Sequence, residues 1–335
     1  MTSKKKSRGV GERKIIEILR GHLDLPSKMG VPFGDDVSTY EWKEGKMAVL
    51  KTDMLVDKTD VPHGMSLGQA ARKAVVMNVS DFAAKGVKPL AILASLGLPR
   101  EVTREDVEEI GRGLNAGARE YGSYIIGGDT NEASDMVISL SVFGVSRKED
   151  LILRSGARPG DMVGVTGLFG VSSAGLKILI EDLEVPKDIR KPLVKSVLMP
   201  HARLKEGLAL AKTGSVTAGI DSSDGLAWSL HRIANASNVG VLIDNIPIAE
   251  EVKRFAKNYR LDPLNLTFYG GEEYELVLTI KSDLWGTAEK AVERVDGKLI
   301  PIGEVTEGKN VQLETKKGRE ILEDRGWEHF KKIDR

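Results

Sequence analysis

The sequence predicts an α/β (α+β) fold in two domains, and three observations carry that prediction. Strand-like apolar runs alternate with helical runs without long loops between them, the pattern of two-layer domains. The 335 residues are enough for two domains, or for one large α/β domain with extensions. Between Ser146 and Asp161 the composition turns charged and turn-rich, through Arg154-Ser155-Gly156-Ala157-Arg158-Pro159-Gly160-Asp161. That shift puts a boundary near residue 150 and divides the chain into 1–150 and 151–335.

Gly11 to Leu19 reads as an amphipathic helix, and Met47 to Leu50 as a strand running into Thr52-Asp53-Met54-Leu55-Val56. Residues 66–86 follow. Ser66 can cap a helix, and Gly86 with Pro89 can end one. Between them Leu67, Ala70, Ala74, Val75 and Phe82 leave little polar surface, and Asn78, Ser80 and Asp81 interrupt it. Either the helix breaks at Asn78 and Ser80-Asp81 caps a second one, or it runs through. In the second case it carries a carboxylate that is costly to bury unless paired or holding a cation. Pro89 to Leu98 is a strand, Arg104 to Tyr121 a helix capped by Thr103 with Asp106 three residues on, and Tyr124 to Ile126 a short strand ending in Gly127-Gly128-Asp129-Thr130. Met136 to Val145 is apolar enough for a core strand.

In the second half, strands are expected at Met162–Thr166, Thr217–Ile220, Val241–Ile243 and Leu276–Ile280, with shorter ones at Lys298–Ile302 and Val311–Glu314. Helices are expected at Ser172–Ile180, His201–Lys212 and Ala227–Ala236. Thr166-Gly167-Leu168-Phe169-Gly170 lacks the Lys-Ser/Thr ending of a phosphate-cradling P-loop, so it reads as a turn between strand and helix.

Composition narrows the chemistry. Lys plus Arg and Asp plus Glu number 49 each, so no net field favours nucleic acid or a membrane surface. There is no cysteine, and the five histidines never fall at metal-ligand spacing, which excludes thiolate chemistry and argues against a histidine zinc site. No apolar run is long enough to span a bilayer, and the start, Met1-Thr2-Ser3-Lys4-Lys5-Lys6, lacks the apolar core of a signal peptide; a cytoplasmic protein is expected.

What remains is acidic. Asp36, Asp53, Asp129, Asp221, Asp224 and Glu272 each follow an apolar strand or precede a helix, beside Gly, Ser or Thr, where chains leaving a sheet gather ligands. Singly, each could be a turn or a helix cap. Together, carboxylates without Cys or His partners suit Mg²⁺ rather than Zn²⁺, and such sites share their ligands with substrate phosphates. Arg154 is either a bidentate phosphate contact or an ordinary surface arginine.

These strings in this order resemble the thiamine-monophosphate kinases of the aminoimidazole ribonucleotide synthetase superfamily. The matching segments are Gly34-Asp35-Asp36, Thr52-Asp53-Met54-Leu55-Val56, Asn78-Val79-Ser80-Asp81-Phe82-Ala83-Ala84, Gly127-Gly128-Asp129-Thr130, Arg154-Ser155-Gly156-Ala157, Ile220-Asp221-Ser222-Ser223-Asp224-Gly225-Leu226, Gly270-Gly271-Glu272-Glu273-Tyr274-Glu275-Leu276 and Gly326-Trp327-Glu328-His329-Phe330. The resemblance implies an N-terminal mixed sheet with helices, a C-terminal α/β domain and a homodimer. It implies direct in-line phosphorylation of thiamine monophosphate by ATP with Mg²⁺. Carried over by position, Asp36, Thr52, Asp53, Asp81, Asp129, Asp221 and Asp224 would hold magnesium, with Asp36, Asp53, Asp81 and Asp221 central to catalysis. Gly128, Asp129, Arg154 and Ser223 would contact ATP, and Asp60, Glu272 and Trp327 the thiamine part. Asp60 stands where the family often has histidine, and Glu273 where its second acid is usually Asp. Branches that need a catalytic or C-terminal cysteine are excluded. An ATP-dependent ligase and a non-catalytic Mg-nucleotide binder are the competing readings, separated by the acceptor and by whether ATP is consumed.

Overall fold

The computed structural model describes residues 11–330. The basic start at residues 1–8 and the closing Ile333-Asp334-Arg335 lie outside them. The first half contains α1 (Glu12–Arg20), β1 (Ser38–Lys43), β2 (Lys46–Val56), α2 (Asp57–Asp60), α3 (Leu67–Ala84), β3 (Pro89–Leu98), α4 (Arg104–Glu120), β4 (Ile125–Glu132) and β5 (Val137–Arg147). Its five strands form one sheet in the order β1-β2-β5-β3-β4, antiparallel except for the β3–β4 pair. Alternation along β2 turns Met47, Val49 and Leu55 to one face, where α3 packs, and leaves Leu50 and Met54 exposed on the other.

α3 is one unbroken helix. Ser66 and Gln69 close a reciprocal capping box at its start. Asn78, where a break was conceivable, keeps its place by donating to Ala74 O at 3.0 Å and accepting from Asp53 N–H at 3.0 Å. The expected cap of the next helix also forms, with Thr103 and Asp106 satisfying each other's backbone.

The second half contains β6 (Met162–Val165), α5 (Val171–Ile180), α6 (Lys187–Leu198), α7 (Leu204–Ala211), β7 (Val216–Asp221), α8 (Leu226–Ser237), β8 (Gly240–Ile243), α9 (Glu250–Tyr259), α10 (Pro263–Tyr269), β9 (Leu276–Ile280), α11 (Trp285–Glu293), β10 (Ile300–Thr306), β11 (Val311–Thr315) and β12 (Gly318–Ile321). Seven strands form a second mixed sheet, β12-β11-β8-β10-β6-β9-β7. Several elements were not foreseen. β1 and β12 are short and mostly exposed; α6 contains Pro192; α9 is charged, with Val252, Phe255 and Ala256 as its buried residues. No helix among the described residues is long and apolar enough to cross a membrane.

The two sheets meet on α3. It touches β2 and β5 of the first sheet, β7 and β9 of the second, and α7. Its Ala- and Gly-rich surface permits this: a Cβ at Gly207 of α7 would stand 2.0 Å from Ala83 O, and one at Gly113 of α4 would stand 2.2 Å from Gly68 O. Backbones that close admit only glycine. Gly207→Ala should therefore lower stability by about 1–3 kcal/mol, the usual range for overpacking, read as a lower midpoint in thermal melting; an unchanged midpoint would show that the α3–α7 contact relaxes freely.

Candidate active site

Asp36 lies in the loop before β1, Asp81 on α3 and Asp221 at the end of β7. All three are buried, and they offer carboxylate oxygens within 4.8 Å of one another. Three segments far apart in sequence thus converge on one point where the two sheets face each other across α3.

Three buried or half-buried cations surround the point. Lys51 reaches Asp53 at 3.1 Å and Asp81 at 3.0 Å. Lys85, fully buried, reaches Asp35 at 2.6 Å and Asp36 at 2.8 Å, and donates to Gly219 O at 2.9 Å. Arg154 donates from Nε to Asp36 at 2.7 Å, from Nη2 to the same carboxylate, and from Nη1 to Gly34 O at 2.7 Å.

The acids outnumber these cations, and their ionisation shows it. Burial alone would raise Asp36, but Lys85 and Arg154 more than offset it and hold its carboxyl below the usual range. Burial raises Asp81 well above the usual value, against the pull of Lys51, with Asp221, Asp53 and Asp36 adding to the rise. Burial and then Asp36 push Asp221 up to about 6, although Ser80 donates to it at 2.7 Å. Burial and then Asp221 push Asp224 up to about 7. Desolvation of half-buried Lys51 works against its charge, yet Asp81 and Asp53 more than offset it and raise the lysine above its usual value. Buried carboxylates lacking counter-charge are a binding place for hard cations.

A second cluster adjoins the first. Segment 270–275 holds two non-glycine residues in the left-handed region, Glu272 at φ 65° and Tyr274 at φ 55°, each costing on the order of 1 kcal/mol or more. Main-chain bonds impose the shape: Glu272 N–H to Ser223 O at 2.6 Å, Tyr274 N–H to Ser222 O at 2.9 Å and Ser222 N–H to Glu275 O at 2.8 Å. On the other flank Trp327 N–H donates to Asp224 O at 2.9 Å, so the Ser223-Asp224 backbone runs between the Glu272 and Trp327 segments. Lys73 of α3 donates to Glu272 Oε1 at 2.5 Å and to Asp60 O at 2.8 Å. Glu272 also lines a cleft of about 540 Å³ with Leu168, Val171, Met199 and Ile300.

Residues 34–146 of the chain match the family model of the AIR synthase related protein N-terminal domain, and residues 158–316 that of its C-terminal domain. The thiamine-monophosphate kinase of Nitrosopumilus maritimus is 37% identical over 320 residues, 96% of this chain and 98% of its own length. The chain belongs to the thiamine-monophosphate kinase family. The family's Pyrococcus horikoshii member is 39% identical over 300 residues, 89% of this chain and 91% of its own. The solved structure of AaThiL complexed with AMPPCP and TMP shares the fold, with a TM-score of 0.83 and 28% identity over 95% of this chain and 97% of that one.

Not every residue expected at a kinase site converges. The Thr52 hydroxyl donates to Leu140 O at 2.8 Å on the outer face of the first sheet, opposite to Asp53. Gly128 and Asp129 sit on exposed β4, where Asp129 pairs with exposed Ser95 on that same outer face. Asp60 spends Oδ2 on Val56 N–H at 2.7 Å. Ser223 is exposed. The Thr166–Gly170 segment is indeed a turn; the first turn of α5 beyond it is occupied by Glu273, which accepts from Ser172 N–H at 3.2 Å and which burial pushes up to about 8.

Lys51, Lys73 and Lys85 escaped the sequence reading. A charge on a small-residue, apolar helix needs a partner, and that holds for Lys73 as much as for Asp81.

Carboxyl groups raised in the folded state are neutral in both states at low pH and begin to cost stability once the unfolded chain ionises. Asp221 and Asp224 therefore remove stability from the metal-free protein as pH rises from about 4 to about 7. Asp224→Asn should stabilise that protein at pH 8 by roughly 1–2 kcal/mol and leave it unchanged near pH 4. Thermal melts at the two pH values decide it; an equal gain at both would remove ionisation as the source.

Proposed function

We propose that the chain transfers the γ-phosphoryl group of ATP to thiamine monophosphate, giving thiamine diphosphate, by direct in-line attack and with Mg²⁺. The observation that carries this reading is the buried convergence of Asp36, Asp81 and Asp221 in a chain whose full-length relatives are thiamine-monophosphate kinases. AMPPCP, an ATP analogue, and TMP are the ligands of the structurally similar AaThiL.

The acceptor is a phosphate monoester, whose second pKa is near 6, so it is largely anionic at neutral pH and needs no strong base. The obstacle is repulsion: two unit charges about 4 Å apart cost on the order of 4 kcal/mol at an effective dielectric near 20. The carboxylate surplus fits magnesium. Asp36, Asp53, Asp81, Asp221 and Asp224 would hold it; Thr52 and Asp129, both on the outer face of the first sheet, stand apart from that set. Bound there, Mg²⁺ supplies the positive charge that lets two phosphates approach. Arg154, fixed by Asp36 and Gly34, keeps its guanidinium at the edge of the cluster to meet ATP beside Gly128 and Ser223. Glu272 and Trp327, on either side of Ser223-Asp224, grip the thiamine end. Phosphoryl transfer demands mainly position and charge, which is what many acids and few bases provide.

The outer face of the first sheet supports a homodimer. Tyr40, Leu50, Met54, Leu93 and Phe143 are exposed there, an apolar face of the kind that marks an interaction surface. A cytoplasmic location and the absence of a nucleic-acid partner belong to the same reading.

Incubation with ATP, Mg²⁺ and thiamine monophosphate should yield diphosphate, with none from free thiamine and none after chelation; bound ATP without product would point to a silent binder. Asp81→Asn should lower turnover by at least about 10³-fold with the melting curve retained, and activity at ordinary Mg²⁺ would remove Asp81 from the metal set. In solution the mass should be twice 36.5 kDa, and Leu50→Glu should shift it to the monomer.

A further inference from the structure

Lys73 belongs to none of the roles above. It is fully buried, its ammonium is held among the described residues by two acceptors, Asp60 O and Glu272 Oε1, and it joins α2, α3 and segment 270–275. A lysine brought so far from water is costly, and a plain structural link between these elements would be served as well by apolar packing.

The partner side is more telling. Glu272 sits in a left-handed backbone conformation that its neighbours enforce, and one carboxylate oxygen is taken by Lys73. The other, Oε2, is buried and has no partner among the described residues. A buried acceptor left open costs about as much as a lost hydrogen bond. Enclosed acceptors of this kind, on a residue that lines a cleft, are filled when a donor arrives. Asp60, the other expected thiamine contact, cannot supply the acceptor through Oδ2, which caps its own turn at Val56 N–H.

We infer that Lys73 is the positioning residue for the thiamine end of the substrate: it fixes Glu272 so that Oε2 accepts an N–H from the exocyclic amine of the aminopyrimidine ring. This rests on the reading of Glu272 as a thiamine contact. Asp60 then acts through its main chain, by anchoring Lys73, which explains why a side chain other than histidine is tolerated there. No covalent step is involved; the effect is on binding and selectivity.

The test is steady-state kinetics on Lys73→Met, Glu272→Gln and the double variant, with thiamine monophosphate and with its 4-oxo analogue, which lacks the amine donor. A charge-assisted hydrogen bond sets the scale. Each single variant should raise KM for thiamine monophosphate about 10- to 100-fold, leave KM for ATP within about 2-fold, and lose the wild-type preference for the amino over the oxo compound. The double variant should be no worse than Glu272→Gln alone, because Lys73 acts through Glu272. If Lys73→Met does not fold, Lys73→Arg is measured in its place; it keeps the charge but moves the donors, and the same selective rise is expected. A normal KM for thiamine monophosphate in Glu272→Gln overturns the underlying contact. A raised KM there, with an additive or ATP-wide effect from Lys73, overturns the positioning role alone.

Discussion

The structure depends on an imbalance of buried charge. Asp35, Asp36, Asp53, Asp81, Asp221 and Asp224 gather around α3, and Lys51, Lys85 and Arg154 are the cations set against them. Carboxylates removed from water without compensation are expensive, by several kcal/mol each. The fold tolerates them because each cation is shared between two acids and because part of the cluster is relieved by protonation in the absence of metal. Bringing acids from a loop, two strands, a helix and a helix-flanking turn to one point requires close backbones. The glycines and alanines along α3, α4 and α7 meet that requirement, so the packing of the core and the chemistry of the site have one cause.

Segment 270–275 shows a second use of the same economy. Its left-handed residues are held by main-chain bonds to Ser222 and Ser223, the turn that presents Asp221 and Asp224. Metal-facing acids and the acceptor-facing Glu272 are thereby fixed to each other through backbone, which is stiffer than any side-chain contact. Arg203, which clamps Glu275 at 2.5 and 2.7 Å, and Thr166, which donates to the same carboxylate at 2.7 Å, secure the far end of the segment.

Much of this was legible in the chain. The capping residues Ser66 and Thr103 announced their helices because local hydrogen bonds decide them. Asp36 and Asp221 could be nominated from their small neighbours and their places at element ends, and Asp81 as a carboxylate interrupting an apolar helix. What stayed hidden was non-local. β2 and β4 continue through polar Thr52-Asp53 and Gly127-Gly128-Asp129 because adjacent strands complete their ladders. Whether Thr52 or Asp129 faces the cluster depends on strand alternation and on the register shift between Ile92 and Leu93, which no single segment reveals. α9 and α11 are short helices with few buried residues, too weak in pattern to stand out. Lysine is usually at the surface, so the burial of Lys73 and Lys85 shows only once the helix is seen to be enclosed on both sides.

The continuity of α3 has an evolutionary corollary. Lys73 and Asp81 stand on one rigid rod, about 12 Å apart along its axis at 1.5 Å per residue. Inserting or deleting one residue between them would turn Asp81 by about 100° around that axis and aim it away from Asp36 and Asp221. A loop could absorb such a change; a helix pinned at both ends and flanked by two sheets cannot. Geometry therefore holds the spacing within this one element to the integer, whatever side chains fill the positions between.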